Sequence, residues 1–204
     1  MNIKPHYIIS RFTIALMGIL VKTGYFYSIV LEGKQVFLVK LSPVEIIENS
    51  LIYYGSDLNA AKKASKAALG NIDMPPIKIS GTLGIYWFPT MSPTSKKCIW
   101  FSLNHIKDTI PLGNSKSRIV LAFNHTITVN ISKSVFKNGE YLTKDLKNIY
   151  EKRTDPTITF TYDPQKREDM VKEDTPTYHF RQVKNGIIEI YNDADRGNSF
   201  HKKK

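Results

Sequence analysis

Residues 25–69 read YFYSIVLEGKQVFLVKLSPVEIIENSLIYYGSDLNAAKKASKAAL, and the order of signals within them decides the fold. Two β-prone runs, residues 25–31 and 35–41, flank Glu32-Gly33-Lys34, the pattern of a hairpin closed by a short glycine turn. Ser42-Pro43-Val44-Glu45 then opens a helix. Ser42 is a good N-cap, Pro43 suits the first helical position and Glu45 completes a capping box. Val44, Ile47 and Leu51 form one apolar stripe at i, i+3 and i+7, and Gly55 ends it. Ser56 or Asp57 caps a second helix over residues 59–69, which Gly70 stops. On that helix Asn59, Lys62, Lys63 and Lys66 share a face, while Leu58, Ala61, Ser65, Ala68 and Leu69 make the other. The second helix is therefore thin, close-packing on one side and basic on the other.

Strands surround this pair of helices. Residues 7–21 are rich in Ile, Phe, Tyr and Val and read as a strand with its continuation. Residues 77–79, 84–90 and 98–106 read as further strands, separated by the Pro75-Pro76 break and by a loop at 91–97. Residues 118–132 form the clearest hairpin: Ile119, Leu121 and Phe123 alternate up to Asn124-His125, and Ile127, Val129 and Ile131 alternate back, so one face is buried. Beyond Lys133 the sequence suggests a helix at 141–153, short strands at 158–162, 178–180 and 187–191, a solvated mixed-charge stretch at 165–174 and a fraying end at 201–204. The fold class is α+β, a strand-rich core built from hairpins with two consecutive helices inserted near residues 43–69. The expected division is a core at 1–137 and a C-terminal extension at 138–204.

Composition sets the limits on function. The chain has 204 residues, 42% of them hydrophobic, with 29 Lys+Arg against 18 Asp+Glu for a formal charge of +11. Such hydrophobicity excludes a disordered tail, and the length suffices for a core without disulfide staples. The single Cys98 excludes an internal disulfide framework and a cysteine zinc cluster, and fits a reducing compartment. The longest apolar run, residues 12–21, is half the length of a membrane span, and no small-residue cleavage site follows it. The expected localisation is cytoplasmic, with no membrane partner.

Catalytic chemistry finds no constellation. The five histidines show no helical metal pair. Cys98 and His105 suggest a nucleophile and base, but on one strand their seven-residue offset puts them on opposite faces, and a buried structural thiol is the simpler reading. No nucleophile elbow, Walker A or dinucleotide glycine motif occurs. The sequence thus implies no enzyme, no catalytic residue, no metal and no cofactor.

Charge remains. A domain at +11 favours polyanions by its field, nucleic acid foremost. Lys62, Lys63 and Lys66 form one basic cluster, to be weighed against an ordinary solvated helix face. Lys96 and Lys97, in the loop after Phe88-Pro89-Thr90, form a second, to be weighed against a solvated hairpin tip. Arg118 and Lys116 are weaker candidates. Tyr86, Trp87, Phe88, Trp100 and Phe101 offer rings for base stacking, although alternating strands favour core packing for them.

Three segments carry a resemblance: residues 41–50 running into Tyr53-Tyr54-Gly55-Ser56; Pro75-Pro76-Ile77-Lys78-Ile79; and Phe88-Pro89-Thr90-Met91-Ser92-Pro93 leading to Cys98-Ile99-Trp100 and His105-Ile106. In order and spacing, over residues 7 to 135, they are similar to the ComK family of competence transcription factors. The family often has Gly-Arg-Lys where this chain has Ala60-Ala61-Lys62. The resemblance implies activation of DNA-uptake genes by binding paired A-tract/T-tract boxes of double-stranded DNA in the minor groove, as a homodimer or dimer of dimers. It also implies regulation by a MecA-type adaptor and the ClpC–ClpP protease. The DNA-binding residues expected on this reading are Lys62, Lys63, Lys66, Lys96, Lys97 and Arg118. Two alternatives stand beside it: an RNA- or single-strand-binding module using the aromatic strands, and an interaction protein that titrates a partner or protease adaptor.

Overall fold

A computed structural model describes residues 2–22, 24–154, 178–183 and 187–192. The elements run β1 (Ile3–Lys4), β2 (Thr13–Leu20), β3 (Phe26–Glu32), β4 (Gln35–Val39), α1 (Pro43–Tyr53), α2 (Leu58–Leu69), β5 (Ile77–Ser80), β6 (Ile85–Pro89), β7 (Ile99–Ser102), β8 (Ile106–Pro111), β9 (Ser117–Leu121), β10 (Thr126–Val129), α3 (Lys133–Thr154), β11 (Tyr178–Val183) and β12 (Ile187–Asn192). This is the α+β arrangement read from the sequence, with two consecutive helices following the first hairpins.

Seven strands form one sheet in the order β1-β4-β3-β2-β7-β6-β5, and three form a second in the order β10-β9-β8. Every pairing in them is antiparallel except that of β1 with β4. Alternation along the strands divides the core. Leu16, Val30, Trp87 and Trp100 point to one face of the large sheet and pack with Ile46, Ile47 and Leu51 of α1 and Leu58 and Ala61 of α2. Their neighbours Ala15, Leu31, Phe88 and Phe101 point to the other face, against Ile119, Leu121, Ile127 and Val129 of the second sheet and Phe136 of α3. The large sheet is thus covered on both sides, which is why its strands read as near-continuous apolar runs. Burial of each such side chain contributes about 1.5–3 kcal/mol, an upper value against an extended unfolded chain.

Local chemistry sets the helix ends. The Ser42 N–H donates to Glu45 Oε2 at 2.6 Å and the Glu45 N–H to Ser42 Oγ at 3.3 Å, closing the capping box. Asp57 Oδ1 accepts from the N–H groups of Asn59 and Ala60, capping α2. Gly55 at φ +83° and Gly70 at φ +90° carry the chain through the left-handed backbone that ends each helix.

Three expectations need correction. Phe123 is not a strand residue: with Asn124 it adopts positive φ (56° and 63°), the pair a tight primed turn demands, and its ring is 41% exposed. The helix expected at 141–153 begins earlier, at Lys133, behind a Ser132 hydroxyl that accepts from the Val135 N–H. The run expected at 98–106 as one strand breaks at a 3₁₀ turn, Leu103–His105, beyond which β8 starts the second sheet.

The chain divides into two compact units, Met1–Ile158 and Thr159–Lys204. The division expected after residue 137 falls within α3. In the second unit β11 and β12 pair antiparallel, Tyr178 opposite Asn192 and Val183 opposite Ile187, as the runs at 178–180 and 187–191 suggested. The strand expected at 158–162, the stretch at 165–174 and the end at 201–204 lie outside the described residues.

Candidate nucleic-acid interface

α2 owes its placement to small residues. Ala61 and Ser65 are buried, and the Ser65 hydroxyl donates to the Pro76 carbonyl at 2.6 Å, fixing the helix to the chain entering β5. With Ala61 and Ser65 at the centre of that face, between Leu58 and Leu69, the helix lies close, and the opposite face carries Lys63 and Lys66 exposed to solvent. Lys62 is half-buried at its flank. Lys66 Nζ reaches only the neutral amide of Asn71, at 3.4 Å.

The second lysine cluster is held by a braced loop. The Ser95 N–H donates to Ser92 O and the Cys98 N–H to Ser95 O, each at 2.9 Å. The Ile99 N–H donates to Thr90 Oγ1 at 3.0 Å. Lys96 and Lys97 are exposed on this frame. A groove of about 510 Å³ brings the two clusters together: Lys62 and Asn59 from α2, Ser42 and Glu48 from α1, Lys96 and Thr94 from the loop, over the ring of Trp100. Among the described residues, Glu48 is the one carboxylate lining it.

Ion pairing separates these lysines from Lys137, Lys144 and Lys147 of α3. All ion pairs among the described residues lie on α3, where Glu140 accepts from Lys137 at 2.8 Å and Lys144 at 2.6 Å and Glu151 lies 3.7 Å from Lys147. Burial pushes the Glu140 carboxyl up, but the two ammonium groups outweigh it and hold its pKa below the usual range. None of Lys62, Lys63, Lys66, Lys96, Lys97 and Arg118 has such a partner among the described residues.

Arg118 stands elsewhere. It is exposed on β9, between Thr128 and Ile110, while its neighbours Ser117 and Ile119 point inward. The second sheet covers the face of the large sheet opposite α1 and α2. The structure thus gathers Lys62 and Lys96 in one groove, carries Lys63 and Lys66 exposed on the same helix and Lys97 on the same loop, and leaves Arg118 on the other outer surface.

The remaining candidates have structural partners. Cys98 is buried, its thiol donates to Met91 O at 3.3 Å, and burial pushes its pKa up. His105 Nε2–H donates to Arg11 O at 2.8 Å and His125 Nε2–H to Gly33 O at 2.8 Å, tying the second sheet to loops of the first. Among the described residues no imidazole is hydrogen-bonded to the Cys98 thiol. Tyr86, Trp87, Phe88, Trp100 and Phe101 are each at most 2% exposed, so none presents a face to a base. This removes the aromatic-strand basis of the single-strand-binding alternative. Among the described residues no group of three His, Cys, Asp or Glu is placed to hold a metal, and no helix is long and apolar enough to cross a membrane.

Sequence reasoning missed Phe26, which also lines the groove. The signal was Gly18 within β2: a Cβ there would stand 2.1 Å from Phe26 Cζ, so the glycine leaves room for the ring.

The family model described as ComK protein matches residues 4–155, further than the 7 to 135 over which the resemblance was legible. The chain is 28% identical over 149 residues to the competence transcription factor of Bacillus subtilis (strain 168), covering 72% of this chain and 74% of that protein. No solved structure matches the chain.

Proposed function

The chain belongs to the ComK family, and from that premise we propose that it acts as a competence transcription factor by docking A/T-rich double-stranded DNA on the lysine surface shared by α2 and the 91–98 loop. Membership places it among transcription factors rather than enzymes. One observation supports the choice of surface: Lys62 of α2 and Lys96 of the 91–98 loop line one groove, Lys63 and Lys66 are exposed on the same helix and Lys97 on the same loop, and none has an ion-pair partner among the described residues. Ammonium groups so placed displace condensed counterions from phosphate, the main source of affinity for duplex DNA.

The minor groove of an A-tract is narrow and strongly negative, so it attracts lysine without needing a base code. A protein with clustered lysines and no helix projecting as a reading head suits that mode. We assign Lys62, Lys63, Lys66, Lys96 and Lys97 to backbone and groove contacts, with Arg118 contributing less because it lies on the other outer surface. Paired boxes would call for two copies related by symmetry, a homodimer or dimer of dimers. Delivery to a ClpC–ClpP protease by a MecA-type adaptor is the regulation that the family suggests.

The test is a salt series of binding to an A-tract/T-tract duplex, a G/C duplex of equal length and the matching single strand. The proposal expects the A/T duplex to bind tightest, with log K falling against log salt at a slope of about −0.9 per phosphate met. Tighter binding to the single strand, or no binding to any duplex in dilute buffer, would contradict it; stable co-purification with a protein partner in that case would favour the titrating interaction protein.

A further inference from the structure

We propose that the tip of the β2–β3 hairpin is an apolar probe that enters a groove of the bound duplex, with Leu20 and Tyr25 as the contacting side chains; this rests on the DNA-binding reading above and names an element it lacks.

The observation is a ribbon that outruns its sheet. β7 flanks β2 only at Ala15, Leu16 and Met17. On the other side β4 flanks β3 only from Ser28 onward. Beyond these, with no flanking strand among the described residues, the hairpin continues through the pairs Ile19–Tyr27 and Leu20–Phe26, and the Val21 N–H still donates to Tyr25 O at 2.9 Å. Three rungs at about 3.4 Å each carry the tip about 10 Å past its neighbours.

Just behind its turn, at Lys22 and Gly24, the hairpin carries exposed apolar side chains. Leu20 is 61% and Tyr25 65% exposed. A side chain of this kind held in water by a projecting ribbon costs solubility unless something covers it. Charge identifies what covers it. From residue 13 to residue 31 no carboxylate occurs, and the one charge is Lys22, at the tip. On the register partner of Leu20, Phe26, the ribbon reaches the groove that Lys62 and Lys96 line. The ribbon is therefore continuous with the lysine surface, and its own charge has the same sign. A second copy meeting it tip to tip would set Lys22 against Lys22, whereas a polyanion meets both features favourably.

The dimensions agree. A minor groove is about 6 Å wide and about 7.5 Å deep. That width excludes two strands with their side chains but admits one leucine or tyrosine side chain, so Leu20 and Tyr25, on opposite faces of the ribbon, meet the duplex as one wedge and one flanking contact; apolar wedges are a recurrent device of minor-groove binders.

Apolar and ionic contacts are separable by salt, which decides the test. With the full chain, affinity for the A/T duplex is measured over a salt series for wild type, Leu20→Ala, Tyr25→Ala and the apolar control Leu20→Met, with sedimentation and thermal unfolding run on each. The expected result is a loss of about ten- to a hundredfold for either alanine variant, the factor that burying one such side chain is worth. The salt slope, oligomeric state and unfolding midpoint stay unchanged, and Leu20→Met retains near wild-type affinity. Unchanged affinity in both alanine variants overturns the proposal, and so does a loss that tracks a change in oligomeric state, which would make the ribbon a contact between copies. Should an alanine variant unfold, a photo-crosslinker on Leu20→Cys decides by contact, since Cys98 is buried: adducts to the duplex support the proposal and adducts to a second chain alone refute it. Failure of the wild type to bind any duplex would instead sink the preceding reading.

Discussion

Helices α2 and α3 carry lysine in opposite ways. α2 has Lys62, Lys63 and Lys66 and no acidic residue among its twelve. α3 has five lysines and Arg153, but also Glu140, Asp145 and Glu151, and Glu140 sits nearly buried between Lys137 and Lys144. On α3 the protein pairs Lys137, Lys144 and Lys147 with its own carboxylates; on α2 it pairs none of its three lysines among the described residues. Net charge alone would rank both helices as DNA-binding candidates. The local availability of an unpaired ammonium separates them, because an ammonium already paired to a carboxylate must lose that contact before it meets phosphate.

If α3 is structural, its variants should cost stability and leave DNA binding intact. The largest effect is expected at Gly139, where a Cβ would stand 2.9 Å from Phe88 Cδ2. Gly139→Leu should force α3 off β6 and lower stability by about 1–3 kcal/mol, read as a fall in the chemical-denaturation midpoint. Glu140→Gln comes next, removing two charge-assisted hydrogen bonds at a cost of about 1–2 kcal/mol at neutral pH. Its sign with pH follows from the lowered pKa of Glu140. The carboxylate stabilises the fold above its unfolded value of about 4.3 and that contribution fades as pH falls through the lower folded value. Wild type and Glu140→Gln should therefore converge in acid; a gap that widens there would break the assignment.

Smaller effects sharpen the other side. Asp57→Ala removes the cap of α2 and should cost about 1 kcal/mol of stability, with a modest loss of duplex affinity as the lysine-bearing helix loosens at its start; an affinity loss with no change in the denaturation curve would mean that Asp57 acts otherwise. Arg118→Ala should be the mildest, changing the salt slope by well under the 0.9 expected for a full phosphate contact; a full step would extend the interface to the second sheet.

Much of this was legible before any coordinates. The cap at Ser42, a cap at Ser56 or Asp57 (of which Asp57 serves), the glycine stops and the two faces of α2 follow from local rules, and these held because each involves residues within a few positions of one another. Phe123 misled because apolar alternation ran on into a turn whose left-handed backbone no apolar pattern announces. β8 was missed because Lys107-Asp108 and Pro111 mask an edge strand that pairs with a later one. The lysine clusters were visible singly. Their convergence was not, since it depends on how β7 inserts beside β2, a contact between residues some eighty positions apart.

The most direct measurement removes the same charge from each helix. Lys62→Ala/Lys63→Ala/Lys66→Ala and Lys137→Ala/Lys144→Ala/Lys147→Ala both lose three positive charges, the second set all ion-paired, and each is titrated with the A/T duplex across a salt series. The account predicts that the α2 variant loses up to about 2.7 of slope magnitude while the α3 variant keeps the wild-type slope. Equal changes in both would show that overall field, not a defined surface, holds the DNA, and would contradict the account.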